Sequence, residues 1–134
     1  MADINWLAVA AAVVAAFVIS TVWYSIFGKQ MVELRGGSAE AAADTGAPAP
    51  GKIALELSRS LVLATVVAWL AARMDVTDWS GGLQLGLVAW LGFAAVLLTG
   101  SVLWENVAPR LAAIHAADWL LQLAMVGVLA GAWQ

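Results

Sequence analysis

The sequence of 134 residues contains no cysteine. Disulfides, thiolate metal sites and cysteine nucleophiles are therefore excluded. It has a single histidine, which cannot supply the repeated ligand spacing of a zinc site. Charge is scarce: 11% of residues are charged and 63% are hydrophobic. Soluble domains carry about 25% charged and about 45–50% apolar residues, so this chain lies outside that class. The net charge is −3. A nucleic-acid partner, which needs a basic footprint, is not expected. Basic residues are also missing from Met1 to Trp6, ahead of the first apolar run. A cleavable secretory signal needs a positive leader and an apolar core of about 7–15 residues. The run from Trp6 to Phe27 is longer, so the first helix is expected to be retained.

What the chain does have is long apolar stretches. An apolar helix of about 20 residues crosses about 30 Å of hydrocarbon. Stretches near Asn5–Phe27, Ile53–Arg73, Trp79–Leu103 and Arg110–Trp133 all meet that test. The expected fold is all-α: one integral membrane domain, a four-helix bundle of up-down topology. Between the first two spans, Gly28 to Lys52 is rich in Gly, Ala and Pro and reads as a flexible loop, although Met31 to Leu34 could extend the first helix. The turn Met74–Asp78 offers Thr77 or Asp78 as an N-cap for the third helix. In the turn from Trp104 to Pro109, the proline suits the first turn of the fourth helix. Turns this tight imply that helices two, three and four pack as antiparallel neighbours.

Cytoplasmic loops carry excess Lys and Arg. The first and third loops hold Lys29, Arg35, Lys52 and Arg110, with Arg59 just inside the second span, while the opposite side holds only Arg73. Both loops are thus expected in the cytoplasm and both termini on the non-cytoplasmic side of a cell membrane. Of eight tryptophans, Trp6, Trp69, Trp79 and Trp133 mark the outer ends and Trp23 and Trp104 the inner ends, as an aromatic belt would. Trp90 and Trp119 lie too deep for that belt. They either pack against another helix or line a cavity.

Ionisable groups within a span are costly and face the protein interior. The fourth span carries His115, Asp118 and Gln122, which share one arc of the helix with Trp119. Asp118 lies about 12 Å below Arg110, too deep for a short side chain to reach the headgroups. His115 is its expected partner. The second span carries Glu56 and Arg59 at ion-pair spacing, with snorkelling of Arg59 as the plainer reading. Tyr24 and Ser25 end the first span, and Glu105, read as a solvated loop residue, precedes the fourth. All lie in the half of the membrane nearest the first and third loops. They form a candidate layer for binding a ligand, lipid headgroup or proton, or alternatively a set of fasteners between helices. No metal and no cofactor is expected.

Small residues form seams between helices in lipid. Gly82 and Gly86, and Gly127 and Gly131, are two such pairs, within one chain or between chains. A homo-oligomer fits the small internal volume of four short helices.

Several motifs together resemble a known family. They are Asn5-Trp6-Leu7-Ala8-Val9, Trp23-Tyr24-Ser25 with Phe27-Gly28-Lys29, Leu85-Gly86-Leu87, Trp90-Leu91-Gly92-Phe93, His115-Ala116-Ala117-Asp118-Trp119-Leu120 and Gly131-Ala132-Trp133. The chain is similar over most of its length to the bacterial membrane proteins grouped as domain-of-unknown-function family 1761. It departs from that pattern at Ile26, where the family has a proline, and takes a shorter step to Phe27-Gly28-Lys29. The resemblance implies a four-helix membrane protein and names no activity. From the residues themselves, binding in the polar layer ranks first and a structural or assembly subunit second. An enzyme on lipophilic substrates ranks last, because Ser25 and Ser60 have no evident base, although His115 could serve as one. Besides the lipid bilayer, the partner expected is a small lipophilic ligand.

Overall fold

The computed structural model describes residues 3–37 and 49–133. Four helices are long and apolar enough to cross a membrane: α1 (Trp6–Leu34), α2 (Pro50–Arg73), α3 (Trp79–Trp104) and α4 (Pro109–Ala132). In hydrocarbon a backbone must satisfy its own hydrogen bonds, which a helix does within one segment. The starts are marked by the residues that best suit them. Asn5 caps α1 with its side-chain oxygen, accepting from the N–H groups of Leu7 and Ala8 at 3.0 and 3.2 Å. Asp78 caps α3 by accepting from the Gly81 N–H at 2.6 Å. Pro50 and Pro109 open α2 and α4, where the missing N–H costs nothing.

The first connection is shorter than the sequence suggests. α1 continues past Phe27 to Leu34 because Met31 and Leu34 pack on Leu111 and Ile114 of α4. α2 begins at Pro50, so Lys52 is helical too. The remainder of the expected flexible loop, residues 38–48, lies outside the described residues.

Packing is lopsided. α4 contacts every other helix, and α1, α2 and α4 enclose most of the core. α1 turns a ladder of small residues inward, with Ala8, Ala12, Ala16 and Ser20 every fourth position. α2 does likewise with Ser60, Ala64, Val67, Ala68 and Ala71. α2 and α3 scarcely touch, despite the tight turn that was expected to make them neighbours. The reason is the glycine seam. A Cβ on Gly82 would run into the Gly127 carbonyl oxygen, and one on Gly131 into the Asp78 carbonyl oxygen. Backbone meets backbone there, so both small-residue pairs are used up within the chain, between α3 and α4.

α3 is not uniform. A π-helical stretch, Trp90–Ala95, interrupts it. A single inserted residue turns the following face by about 100°. Beyond it, Leu97, Leu103 and Trp104 are exposed on the lipid-facing surface.

Candidate functional site

α1, α2 and α4 separate at the end nearest the first and third loops and leave a cavity of about 700 Å³. α1 supplies Ser20, Tyr24 and Ser25, α2 supplies Glu56 and Arg59, and α4 supplies His115, Asp118 and Trp119. Sequence reasoning named all of these except Ser20.

Ser20 is the residue that closes the floor. Asp118 is only 2% exposed. The Ser20 hydroxyl donates to both its carboxylate oxygens, at 3.0 and 3.2 Å. The Gln122 amide, one turn further along α4, donates to Asp118 Oδ2 and to Ser20 Oγ, each at 2.7 Å. The three side chains form a closed triangle between α1 and α4. Asp118 therefore has partners on two helices, as a buried carboxylate must.

The expected hydrogen bond between His115 and Asp118 is not made among the described residues. Tyr24 stands between them instead. Its hydroxyl is 2.8 Å from His115 Nδ1 and also interacts with the Asp118 carboxylate.

Glu56 and Arg59 form the ion pair their spacing implies. The Arg59 guanidinium also lies over the Trp119 ring, 5.7 Å from its centroid, and so spans the gap from α2 to α4. Ser25 lines the cavity, but its hydroxyl donates to the Thr21 carbonyl at 2.6 Å, which leaves it poorly placed as a nucleophile. Glu105 is exposed at the end of α3, outside the cavity. Gln122 is buried beneath the floor rather than on the wall. Among the described residues no three His, Asp or Glu side chains gather closely enough to hold a metal ion.

Of the two deep tryptophans, Trp119 lines the cavity, whereas Trp90 packs against α4. Trp90 donates its indole N–H to the Ala116 carbonyl at 2.8 Å. From the other side of α4, Trp23 donates to the Ile114 carbonyl at 3.0 Å. These carbonyls flank His115. The rotation of α4, and with it the aim of His115 and Asp118, is braced from α1 and α3 together.

The fold and this site define a multi-pass integral membrane four-helix protein with a polar cavity set inside its spans. The chain belongs to the family described as Protein of unknown function (DUF1761), whose model matches residues 7–131. No curated protein and no solved structure matches it.

Proposed function

We propose that the protein binds a small ligand in the α1–α2–α4 cavity, coupled to a proton held by the Asp118, Tyr24 and His115 side chains. The observation that carries this reading is a cavity of about 700 Å³ with a 2% exposed carboxylate at its floor. Ligand sites have volumes of about 300–1,000 Å³, and a carboxylate within a span is a costly feature. The chemistry of the chain is simple. The Tyr24 hydroxyl can donate in one direction at a time. Facing an ionised Asp118, it donates to the carboxylate and accepts from the Nδ1–H of His115. Facing a protonated Asp118, it turns and donates to Nδ1. Rotation of one hydroxyl thus links the protonation of two groups that do not touch. The Lys and Arg bias between loops supports a cell-membrane orientation in which the cavity opens to the cytoplasm.

A second reading draws on the closed Ser20–Asp118–Gln122 triangle. It makes the polar groups fasteners of α1 to α4 in a structural or assembly subunit. Self-association is carried forward as a proposal with it.

Native mass spectrometry of the protein, released gently from lipid nanodiscs, separates the two. The binding reading expects a retained small-molecule mass on the wild type. Gly28 lines the cavity, and a Cβ there meets nothing within 4 Å. Gly28→Phe should fill the space and lose that mass with the fold intact. A wild type without bound mass, whose Asp118→Asn variant changes only stability or oligomer mass, would leave the structural reading standing alone.

A further inference from the structure

We infer, building on the cavity reading above, that the ligand is an amphiphile with one anionic head group, a phosphate or carboxylate, seated between Lys29 and Lys52. The argument begins with the charges on the cavity wall. The wall carries Lys29, Lys52 and Arg59 against Glu56 and Asp118. Arg59 and Glu56 neutralise each other as an ion pair. Asp118 is closed in by Ser20 and Gln122 at the far end. Among the described residues neither lysine makes a salt bridge. The two stand on different helices, Lys29 on α1 and Lys52 in the first turn of α2. The mouth therefore carries two lysines, one from each of two helices.

Below the mouth, apolar side chains join the polar ones already described. Ile53 follows Lys52 directly, and Phe17 and Trp119 line the cavity further in, each half-buried. Along α1, Phe17 lies about 18 Å from Lys29 at 1.5 Å per residue. An anionic head at the lysines would place an apolar stem of that reach against Ile53, Trp119 and Phe17. A bare inorganic anion would leave those walls unused. A cationic amphiphile would meet two lysines, and Glu56, the acidic wall residue one turn from Lys52, is already paired with Arg59. The depth also suits a molecule drawn from the leaflet, since the lysines sit where headgroups lie and the aromatic wall where acyl chains begin.

The test is titration calorimetry on the full chain in neutral maltoside micelles, with decyl phosphate, decyltrimethylammonium and inorganic phosphate as probes. Decyl phosphate should bind the wild type, and the other two should bind about tenfold more weakly or not at all. Lys29→Gln combined with Lys52→Gln should weaken decyl phosphate by about tenfold or more, as expected for loss of charged hydrogen bonds. Both lysines are exposed, so the fold is not at stake, and micelle partitioning is the same for both proteins. Equal affinity of the double variant overturns the anionic head group. Equal affinity of inorganic phosphate overturns the apolar stem, and equal affinity of decyltrimethylammonium overturns the sign of the charge. Gly28→Phe, run alongside, keeps the two proposals apart. If it abolishes binding while the lysine variant does not, the cavity stands and the anionic class falls. If neither variant weakens binding, both fall.

Discussion

Ser20 shows how little a single residue announces. In an Ala- and Val-rich helix a lone serine reads as one more small packing residue. Its place is nonetheless visible in hindsight: Ala8, Ala12, Ala16, Ser20 and Tyr24 follow at every fourth position, so the face that is apolar in the outer half turns polar in the inner half. Which carboxylate it would meet depended on α4, almost a hundred residues away. Ser20→Ala removes a donor to Asp118 and an acceptor for Gln122. Hydrogen bonds between membrane helices average well under 2 kcal/mol, so a loss of about 1 kcal/mol is expected. Unfolding in mixed micelles would measure it, and an unchanged midpoint would show the triangle contributes nothing. Asp78 offers a second prediction at this scale. The Gly81 N–H, and after it the Ser80 hydroxyl, hold its carboxyl below the usual 3.8. A lowered folded-state value means stability that is present above the ordinary carboxylate range and lost as pH falls through the folded value. Asp78→Ala should thus lower the melting temperature at neutral pH, with the gap to wild type narrowing in strong acid. A gap independent of pH would assign the effect to something other than the charged cap.

The contact of α3 with α4 is decided by four glycines. A methyl group on Gly82 or Gly127 would press on backbone of the other helix, which has no flexible end to move aside. Overpacking commonly costs about 1–3 kcal/mol, and Gly82→Ala is expected at the upper end or beyond it. Gly92 and Gly100 lie in the same helix with nothing within 4 Å of an added Cβ. Alanine there should be neutral or stabilise by up to about 1 kcal/mol through helix propensity. A detergent melting series over these three variants would test the seam, and equal effects at all three positions would contradict it. The two glycine pairs were plain in the sequence. That they face each other was not, since a small-residue pair is equally suited to a second copy of the chain. α1 illustrates the same division. Its apolar run predicted the helix, but its continuation to Leu34 rests on contacts with Leu111 and Ile114 that no local pattern records.

At the scale of the molecule, one helix is central and one is peripheral. α4 is wrapped by the other three, whereas α3 leaves most of its surface to lipid. The cavity is a consequence, because three helices around α4 leave a gap where α1 and α2 diverge. Orientation can be read directly, since the chain has no cysteine of its own. Single substitutions Ala49→Cys and Asp75→Cys lie on opposite sides of the proposed topology. A membrane-impermeant maleimide should modify Asp75→Cys in intact cells and Ala49→Cys only after lysis. The reverse pattern would place the cavity on the outer face.

Length, hydropathy and the turn residues by themselves determined the four helices, a cap for α3 at Thr77 or Asp78, a proline in the first turn of α4, and the end of the bundle at which the polar residues gather. Those are local properties, because a span is recognised by its own composition and its depth by counting along it. Only the tertiary structure decided who meets whom: Tyr24 rather than Asp118 at His115, Ser20 at Asp118, glycine against glycine across α3 and α4, and two lysines at a shared mouth that make no salt bridge among the described residues. The physical reason is that apolar helices in lipid have no strong preference among partners. A few close approaches and buried hydrogen bonds set their rotation, and each of these joins residues far apart in the chain.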